Sequence, residues 1–383
     1  LSVRDGYNCS RNSFSSVKAD VKVFAENIED SAQEQIDEIS ACPAFEGAKI
    51  RIMPDAHRGK GCVIGFTAKL SDKVIPNLVG VDIGCGMFCI KLAEHIDHAD
   101  LIQFNRDVKR AVPTGFKIHR DPVCELSDFG MDACKWLEGK RRVERSLGTL
   151  GGGNHFIELD EDEEGAQYLV VHTGSRNLGK QVAEHHQALA QALCKDEVPE
   201  ELKYLEGDYT LEYLADMHNC QQFANRNREA IIAQILERTG IRVDGTGFTT
   251  MHNYISDDGV IRKGAISAQA GETVFIPFNM RDGAVIATGK GNEDWNCSAP
   301  HGAGRAMSRA QAFATLDAEA FVQEMKDAGI YSPSACDGTL DESPEAYKAA
   351  DMIMRLMEPT AQIVHRLKPI WTLKATGRRG SRR

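Results

Sequence analysis

The sequence predicts an α+β fold: one large domain of mixed β-sheets with peripheral helices around a central cleft. Three observations lead to this prediction. The chain of 383 residues is long enough to bury a sizeable core. Its composition, 42% hydrophobic and 26% charged, is that of an ordinary globular protein. Short β-branched runs of strand length and longer runs of helical spacing also follow one another along the chain.

The predicted strands are short runs rich in β-branched and other apolar residues, bounded by turn residues. Residues 49–65 contain two of them with a loop between, and residues 74–92 contain two runs that flank Gly84-Cys85-Gly86. The remaining strand-like runs are residues 167–172, 274–277 and 284–287.

The predicted helices have apolar residues at positions i, i+3 and i+4, which places these residues on one face. The first helix is expected to end at Pro113, because proline lacks the N–H that would continue it. The predicted helices are residues 100–112, 179–194, 211–238, 310–326 and 344–357.

No linker rich in proline or serine divides the chain, so residues 1–383 are expected to form a single domain. The acidic residues 160–164 and the polar residues 196–208 are expected to be surface insertions. Residues 368–383 form a tail with six basic residues and no acidic one. Such a tail either contacts phosphates through sequence-independent attraction or is a frayed terminus.

The 45 basic and 56 acidic residues give a net charge of −11, which argues against a surface that binds nucleic acid or membranes throughout. A local basic strip is still compatible with this charge. No run approaches the ~20 apolar residues that span a bilayer, and the N-terminal residues lack the apolar core of a signal peptide. The expected location is the cytoplasm, with no membrane partner. Eleven cysteines without a C-x-x-C pair indicate reduced thiols.

Residue types that bind transition metals occur in five short segments, most of them next to glycine-rich turns. The segments are VDIGCG (81–86), GGNH (152–155), HTGSR (172–176), HNY (252–254) and HGAGR (301–305). Among them, oxygen, sulfur and nitrogen donors come from Asp82, Cys85, His155, His172 and His252. This mixed set fits Mn, Fe, Co or Zn better than Ca or Mg, and one sulfur can bridge two ions. Each histidine taken alone is also compatible with an ordinary structural role.

His301 is the candidate nucleophile. A histidine nitrogen can attack phosphorus and form a phosphoramidate, a covalent intermediate. The attack needs positive charge around the phosphoryl oxygens, which Arg176, Arg305 and a metal would supply, and Gly302 and Gly304 would let backbone amides approach a phosphate. Neither a Walker A sequence nor the K-x-D-G sequence of lysine-dependent nucleotidyl transferases occurs in the chain. The alternative for His301 is a hydrogen-bonded structural role in its turn.

Six longer motifs occur in order along the chain. They are MPDAHRGKG (53–61), VGVDIGCGM (79–87), LGTLGGGNHFIEL (147–159), HTGSR (172–176), HNYIS with RKGAISA (252–268) and HGAGRAMSR (301–309). In content and order these motifs resemble those of the RtcB family of RNA-splicing ligases, from about residue 50 to the C-terminal part of the chain.

The resemblance implies a GTP- and Mn(II)-dependent ligase with an RtcB-like fold around a metal and nucleotide cleft. Such an enzyme joins an RNA 3′-phosphate or 2′,3′-cyclic phosphate end to a 5′-hydroxyl end, in RNA repair or tRNA splicing. His301 would be guanylylated, GMP would pass to the 3′-phosphate, and the 5′-hydroxyl would displace GMP. The implied partners are RNA ends, GTP and an archease-type activator.

The resemblance also implies a role for each site residue. The five candidate ligands would hold two Mn(II) ions, with Cys85 bridging them. Asn154 would contact the guanylate phosphate, Arg176 and Arg305 would hold phosphates of RNA or nucleotide, and Asp55 would lie near the site. The other implied nucleotide contacts are Glu293, Tyr347 and Lys374 at the guanine, together with Pro277, Asn279, Met280, Gly302, Ala303 and Gly304.

One loop departs from the family. The nucleotide loop of the family commonly has the sequence Pro-Gly-Ser-Met-Gly, whereas residues 277–281 here are PFNMR. Phe278 and Arg281 are bulky where a close backbone approach favours glycine, although Arg281 would offer a phosphate contact. An alternative function is therefore a paralogue that caps 3′-phosphate ends with GMP, or acts on DNA ends, without efficient joining. A non-catalytic binding protein would need broken ligand positions, and all six metal and nucleophile positions are intact.

Overall fold

The computed structural model describes residues 18–375. These residues contain sixteen β-strands and eight α-helices. The strands are β1 (Asp20–Val23), β2 (Lys49–His57), β3 (Ile64–Lys69), β4 (Lys73–Val74), β5 (Gly86–Lys91), β6 (Phe156–Asp162), β7 (Gln167–Thr173), β8 (Leu205–Glu206), β9 (Phe248–Met251), β10 (Asn253–Ile255), β11 (Val260–Lys263), β12 (Ala265–Ser267), β13 (Thr273–Asn279), β14 (Gly283–Gly289), β15 (Ser298–Pro300) and β16 (Ala361–Lys374). The helices are α1 (Asp30–Ser40), α2 (Leu101–Ala111), α3 (Lys140–Glu144), α4 (Arg176–Leu193), α5 (Asp208–Thr239), α6 (Arg309–Thr315), α7 (Ala318–Asp327) and α8 (Ala350–Leu356).

The larger sheet has seven strands in the order β13-β14-β16-β6-β7-β5-β9, and every neighbouring pair is antiparallel. Its register places Gly86 opposite both Thr173 and Met251, and Phe156 opposite His172. Because antiparallel neighbours run in opposite directions, the starts of β5 and β6 lie beside the ends of β7 and β9.

The smaller sheet has five strands in the order β1-β2-β3-β11-β10. Only β1 and β2 are parallel in it. The ladder between β2 and β3 is irregular between Ile52 and His57, and this stretch of β2 carries Asp55. β12 pairs with β15 in a separate two-stranded ladder, and β4 pairs with β8 in another.

The longest helix, α5, has 32 residues and packs against α2, α4 and β7. Its buried residues include Met217, Cys220, Ala224 and Ile231, a spacing of three, four and seven that forms one apolar stripe. The helix is followed by Gly240 in the left-handed conformation at φ 74°, which glycine adopts without the steric cost of a Cβ. α5 therefore runs behind the strands that carry the candidate ligands.

The predicted α+β class with mixed sheets and peripheral helices is confirmed. Of the two strand-like runs predicted in residues 74–92, the first is wrong. After Val74 it forms a 3₁₀ turn at Pro76–Leu78 followed by a loop, because proline has no N–H to donate to a ladder. The single helix predicted at residues 310–326 is two helices, α6 and α7. Asp317 separates them, since its side chain caps α7 by accepting from the Ala320 N–H at 2.7 Å.

The segments expected to be surface insertions or a tail contain regular secondary structure. Residues 160–164 are the end of β6 and its turn, where buried Asp162 accepts the N–H groups of Glu164 and Ala166 at 2.9 Å each. Residues 196–208 contain a short 3₁₀ turn and β8. Residues 368–374 belong to β16 and pair with β6, so they are no free tail. The rest of the predicted basic tail, residues 376–383, lies outside the described residues.

Within residues 18–375, none of the helices combines the length and the apolar composition that a bilayer-spanning segment requires.

Candidate active site

The five candidate metal ligands lie at the ends of four adjacent strands of the larger sheet. Asp82 and Cys85 precede β5, His155 precedes β6, His172 lies near the end of β7, and His252 follows β9. The four strands are antiparallel neighbours, so these ends meet at one edge of the sheet. The topology thus brings together all five residues that the sequence analysis assigned to a metal site.

The donor atoms form two groups that share Cys85. In the first group, His172 Nε2 lies 3.2 Å from Cys85 Sγ and 3.1 Å from His252 Nε2. In the second group, His155 Nε2 lies 3.6 Å from Cys85 Sγ and 2.8 Å from Asp82 Oδ2. All donor atoms of a group lie within 4.8 Å of one another, close enough to surround one ion. A sulfur common to both groups is the arrangement that a bridging thiolate requires.

The hydrogen bonds of two imidazoles orient their lone pairs toward these groups. His155 Nδ1 faces the carbonyl of Leu150 at 2.9 Å, and His172 Nδ1 faces that of Asn154 at 3.1 Å. A carbonyl only accepts, so each Nδ1 carries a proton and each ring turns its other nitrogen, Nε2, toward the donor groups. His155 Nε2 then faces a carboxylate oxygen of Asp82. The sulfur, nitrogen and oxygen atoms gathered in the two groups fit a metal site.

Burial sets the protonation states of the first group. It lowers the pKa of His172 and of His252 well below the usual value, so both rings are neutral at pH 7. Burial, reinforced by the nearby Asp82 carboxylate, raises the pKa of the Cys85 thiol well above its usual value. A metal ion favours the thiolate and would reverse this preference. The sulfur, nitrogen and oxygen donors together are typical of a transition-metal site.

Two buried polar residues of α5 hold the turns that carry the ligands, and the sequence analysis missed both. Arg228 Nη1 donates to the carbonyls of Gly84 and Thr173, at 2.8 Å each. Asn227 Oδ1 accepts the backbone N–H groups of residues 148 and 149, at 2.7 and 3.1 Å. The sequence signal is a pair of polar residues on the helix face that the apolar spacing predicts to be buried.

His301 follows β15 and lies beside the metal-type cluster, with its ring centroid 4.9 Å from that of His252. Its Nδ1 lies 2.6 Å from Asp55 Oδ2, and its backbone N–H donates to the same oxygen at 3.1 Å. The Asp55 side chain is 0% exposed, whereas that of His301 is 19% exposed. Asp55 accepts from Nδ1–H, so in the neutral ring the lone pair lies on the other nitrogen, Nε2.

Glycines allow the loop after His301 to pack closely on the neighbouring strands. A Cβ on Gly304 would lie 2.0 Å from the backbone oxygen of Asp55, and its φ of +70° also favours glycine. A Cβ on Gly302 would lie 2.7 Å from the backbone oxygen of Pro277. A side chain at position 302 or 304 would push the loop away from these strands. Glycine at both positions therefore allows His301 to stay in contact with Asp55.

His172, His252 and His301 line a cavity of about 970 Å³, a volume within the range of nucleotide-sized ligand sites. Ten of the predicted nucleotide or phosphate contacts also line it. They are Asn154, Pro277, Asn279, Met280, Gly302, Ala303, Gly304, Arg305, Tyr347 and Lys374.

One wall of the cavity is a network around Glu342, which the sequence analysis missed. Glu342 accepts from Lys374 Nζ at 2.6 Å and from the Tyr347 hydroxyl at 2.8 Å. The Arg305 guanidinium lies 5.2 Å from the centre of the Tyr347 ring, and Lys374 Nζ lies 5.1 Å from that of Phe156. Two aromatic rings, each with a cation packed against it, thus line the cavity.

Glu158 also lines the cavity and was missed. Only 4% of it is exposed. Burial raises its pKa to about 7, while the nearby Lys374 ammonium acts in the opposite direction. Strand alternation places Glu158 on the same face of β6 as Phe156. This segment was not among the predicted strands, and only its pairing with β16 brings Glu158 near Lys374.

The structure does not bring Glu293 to the cavity. Its side chain is exposed, and it lies on the 3₁₀ turn Glu293–Trp295. Trp295 anchors this turn by stacking on Phe24, with ring centres 3.8 Å apart. The turn therefore packs beside β1, and the carboxylate of Glu293 faces solvent instead of a nucleotide.

Two arginines with expected phosphate contacts also lie outside the cavity lining. The Arg176 guanidinium packs against Gly151, where an added Cβ would lie 1.9 Å from its Nη1. Arg281 pairs with Asp282 at 2.7 Å and with Glu324 at 2.5 Å. These carboxylates neutralise Arg281, so the altered loop offers no free cation at that position.

Comparisons with known proteins identify the family of this chain. The family model described as tRNA-splicing ligase RtcB matches residues 35–139 and 129–375. The RNA-splicing ligase RtcB of Escherichia coli strain K12 is 31% identical, over 93% of this chain and 97% of its own. The tRNA-splicing ligase RtcB of Nanoarchaeum equitans is 28% identical, over 84% and 87%. That of Archaeoglobus fulgidus is 28% identical, over 91% and 92%. The chain belongs to the RtcB family of RNA-splicing ligases.

Proposed function

We propose that the protein joins an RNA 3′-phosphate or 2′,3′-cyclic phosphate end to a 5′-hydroxyl end, at the expense of GTP, through GMP bound covalently to His301. The observation that carries this proposal is the buried Asp55 carboxylate 2.6 Å from His301 Nδ1. It leaves Nε2 as a nucleophile, and the ring lies beside the metal-type cluster in a nucleotide-sized cavity.

In the first step, His301 Nε2 attacks the α-phosphorus of GTP. An N–P bond forms, the P–O bond to pyrophosphate breaks, and pyrophosphate leaves. The ring becomes positively charged as it attacks, and Asp55 stabilises this charge in the way the aspartate of a catalytic triad stabilises its histidine. Asp55 remains ionised throughout and transfers no proton.

An RNA end that is a cyclic phosphate is first hydrolysed to a 3′-phosphate. Two further steps then move GMP to the RNA end and release it. A 3′-phosphate oxygen then attacks the phosphorus of the GMP adduct, which frees His301 and leaves GMP on the RNA end. The 5′-hydroxyl finally attacks the 3′-phosphorus, loses its proton, and displaces GMP. Asn154 and Arg305 line the cavity on the path of these phosphates.

The two groups of donors that share Cys85 are proposed to hold two Mn(II) ions. Bound there, the ions would neutralise phosphate charge and polarise the P–O bonds. The chain's own part is to present the lone pairs of His155 and His172 through their fixed tautomers. Asp82 and the Cys85 thiolate supply the negative charge.

The wall formed by Phe156, Glu158, Tyr347 and Lys374 is proposed to hold the guanine. Aromatic faces stack on bases, and guanine presents two adjacent donors, N1–H and N2–H, that a carboxylate can accept together. Glu342 is already engaged by Lys374 and the Tyr347 hydroxyl. Glu158 is therefore the carboxylate we assign to the guanine edge.

Glu158→Gln should weaken GTP use by about 10- to 100-fold, because a charge-assisted pair of hydrogen bonds is lost. The parent should also lose GTP affinity as the pH falls and the raised pKa of Glu158 is crossed, since the protonated carboxyl accepts less well. The variant should lack this pH dependence. GTP titrations of adduct formation between pH 6 and 8.5 measure both effects. Glu161→Gln, on the opposite face of β6, is the matched control; equal losses in both variants would contradict the assignment.

Asp55→Asn should slow the formation of the GMP adduct by roughly 10³- to 10⁴-fold, because an amide neither fixes the tautomer of His301 nor stabilises its positive charge. The rate is measured in a single turnover with GTP and Mn(II). The melting temperature and metal content should stay near those of the parent. A variant that forms the adduct at the parental rate would remove Asp55 from the mechanism.

The proposal as a whole is tested by incubating the protein with GTP and Mn(II) and locating GMP by mass spectrometry. Absence of GMP on His301, with the metal site loaded, would overturn it. Addition of RNA with 3′-phosphate and 5′-hydroxyl ends then separates joining from capping. The altered loop at residues 277–281 favours capping as the second candidate function, which accumulated 3′-capped RNA or DNA would support. The same assay, with and without an archease-type protein, tests the proposed activator.

A further inference from the structure

The loop at residues 113–119, here called the Phe116 loop, is attached to the glycine-rich turn that leads to Asn154 and His155. The Gly115 N–H donates to the carbonyl of Gly151 at 2.7 Å, and the Leu150 N–H donates to that of Pro113 at 3.0 Å. At its other end, the His119 N–H donates to the backbone oxygen of Arg145 at 3.0 Å. Both ends of the loop are therefore fixed against the active-site scaffold.

Phe116, at the tip of this loop, is 78% exposed. The exposed large apolar residues of the described chain reach 65% at most elsewhere, at Leu211. An added Cβ on the neighbouring Gly115 would meet nothing within 4 Å, so the tip projects into open space. An exposed aromatic ring on a fixed loop is a candidate binding surface for a ligand.

The segment that carries the ring is basic, whereas the chain has a net charge of −11. Residues 106–120 contain exposed Arg106, Lys109, Arg110, Lys117 and Arg120. Asp107, the acidic residue among them, is paired with Arg238 at 3.2 Å, and exposed Asp121 follows the segment. This combination of a bare ring and a local excess of cations complements a single-stranded nucleic acid.

A path free of bulky side chains joins Phe116 to the cavity. An added Cβ on Gly152 would meet only the backbone of Gly115, at 3.9 Å. One on Gly153 would lie 3.8 Å from Arg309 Nη1, and Arg309 lines the cavity. The glycine turn thus lies between Arg309 at the cavity and the Phe116 loop. Without side chains there, a nucleic-acid strand can lie close to the backbone.

We propose that Phe116 is the stacking platform for an unpaired base of the RNA strand whose end enters the cavity. Lys117 and Arg120 contact the phosphates of that strand. This proposal rests on the proposed function and adds to it the surface that positions the RNA. Single-stranded bases stack on aromatic side chains in a sequence-tolerant way, which suits an enzyme whose specificity lies in the chemistry of the ends.

Phe116→Ala should raise the Kd for a single-stranded RNA end by about 5- to 100-fold, the range that loss of one stacked base produces. The slope of log Kd against log salt should stay unchanged, because no charge is lost. Phe116→Trp should retain the parental affinity. Lys117→Ala should instead reduce the salt slope by about 0.7, one phosphate contact on a single strand. Tyr209→Ala, at an exposed aromatic on α5 outside the cavity lining, is the control.

The probe is an RNA oligonucleotide with a 3′-phosphate and 2-aminopurine placed in turn at each of the last few positions. Quenching at one position, present in the parent and in Phe116→Trp and absent in Phe116→Ala, is the expected result. Unchanged affinity and quenching in Phe116→Ala, or an equal loss of affinity for blunt duplex RNA, would overturn the proposal. GMP adduct formation with GTP alone should be normal in every variant. An adduct missing in the parent would count against the proposed function, while the RNA titrations still test Phe116 itself.

Discussion

His301→Ala should abolish GMP adduct formation and the joining of RNA ends, with a loss of at least ~10⁴-fold, while the protein binds metal as the parent does. The size of the loss follows from the role assigned to Nε2, because no other group replaces a missing nucleophile and only positioning and electrostatics remain. Folding should be preserved, since the side chain is 19% exposed. Its partner Asp55 is left with the backbone N–H of residue 301 as a donor.

The measurement is single-turnover transfer of label from α-labelled GTP, with mass spectrometry of the adduct. His365→Ala is the matched control, because His365 lies on β16 outside the cavity lining, with 32% of its side chain exposed. RNA activated chemically with GMP at its 3′-phosphate gives a second test. His301→Ala should seal this substrate near the parental rate, because the last step does not use the imidazole as a nucleophile. A labelled variant would contradict the assignment of His301.

Cys85→Ala should cost both metal ions together and at least ~10³-fold in adduct formation. The reason is that Cys85 Sγ belongs to both groups of donors, so its loss leaves each group with only two members. Loss of His252 or of Asp82 would instead remove a donor from only one of the two groups. Two divalent ions that contact phosphate provide much of the charge stabilisation in phosphoryl transfer, which is why the activity should fall with the metal content.

Metal content per chain, measured after reconstitution with Mn(II) and removal of free ions, is the primary readout. Cys89→Ala is the control for loss of a buried thiol. Cys89 lies on β5, four residues further along the chain, with 1% of the residue exposed against 2% for Cys85. The control should keep two ions and parental activity. Two tightly bound ions in Cys85→Ala would show that the sulfur is not shared.

The candidate ligands and the nucleophile could be predicted because their chemistry is local. A cysteine three residues from an aspartate across a glycine turn, or a histidine after three glycines, is visible in a few letters of sequence. Two of the four strands that carry them were also predicted, since β5 and β7 are short apolar runs of the expected length. β6 and β9 were not predicted. All five candidate ligands lie together in the structure, in two groups that share Cys85.

Other residues could not be predicted because their roles depend on what lies opposite them. Glu158 is one polar residue in a buried strand, and only the pairing of β6 with β16 places it near Lys374. Arg228 is one of many polar residues in a long helix, and only the packing of α5 against β7 brings it to Gly84 and Thr173. Glu293 lies outside the cavity lining for the converse reason, since stacking of Trp295 on Phe24 holds its turn elsewhere.

The amino-acid sequence alone determined the mixed α and β character of this chain, the residue types of a transition-metal site, and a histidine fit to attack phosphorus. Those features are local properties of turns and short periodic segments. Only the tertiary structure decided that the starts of β5 and β6 lie beside the ends of β7 and β9, that Asp55 fixes the ring of His301, and which face of each strand borders the cavity. Such pairings join residues far apart in the chain, and their geometry depends on the order of strands in the sheet, which no local pattern encodes.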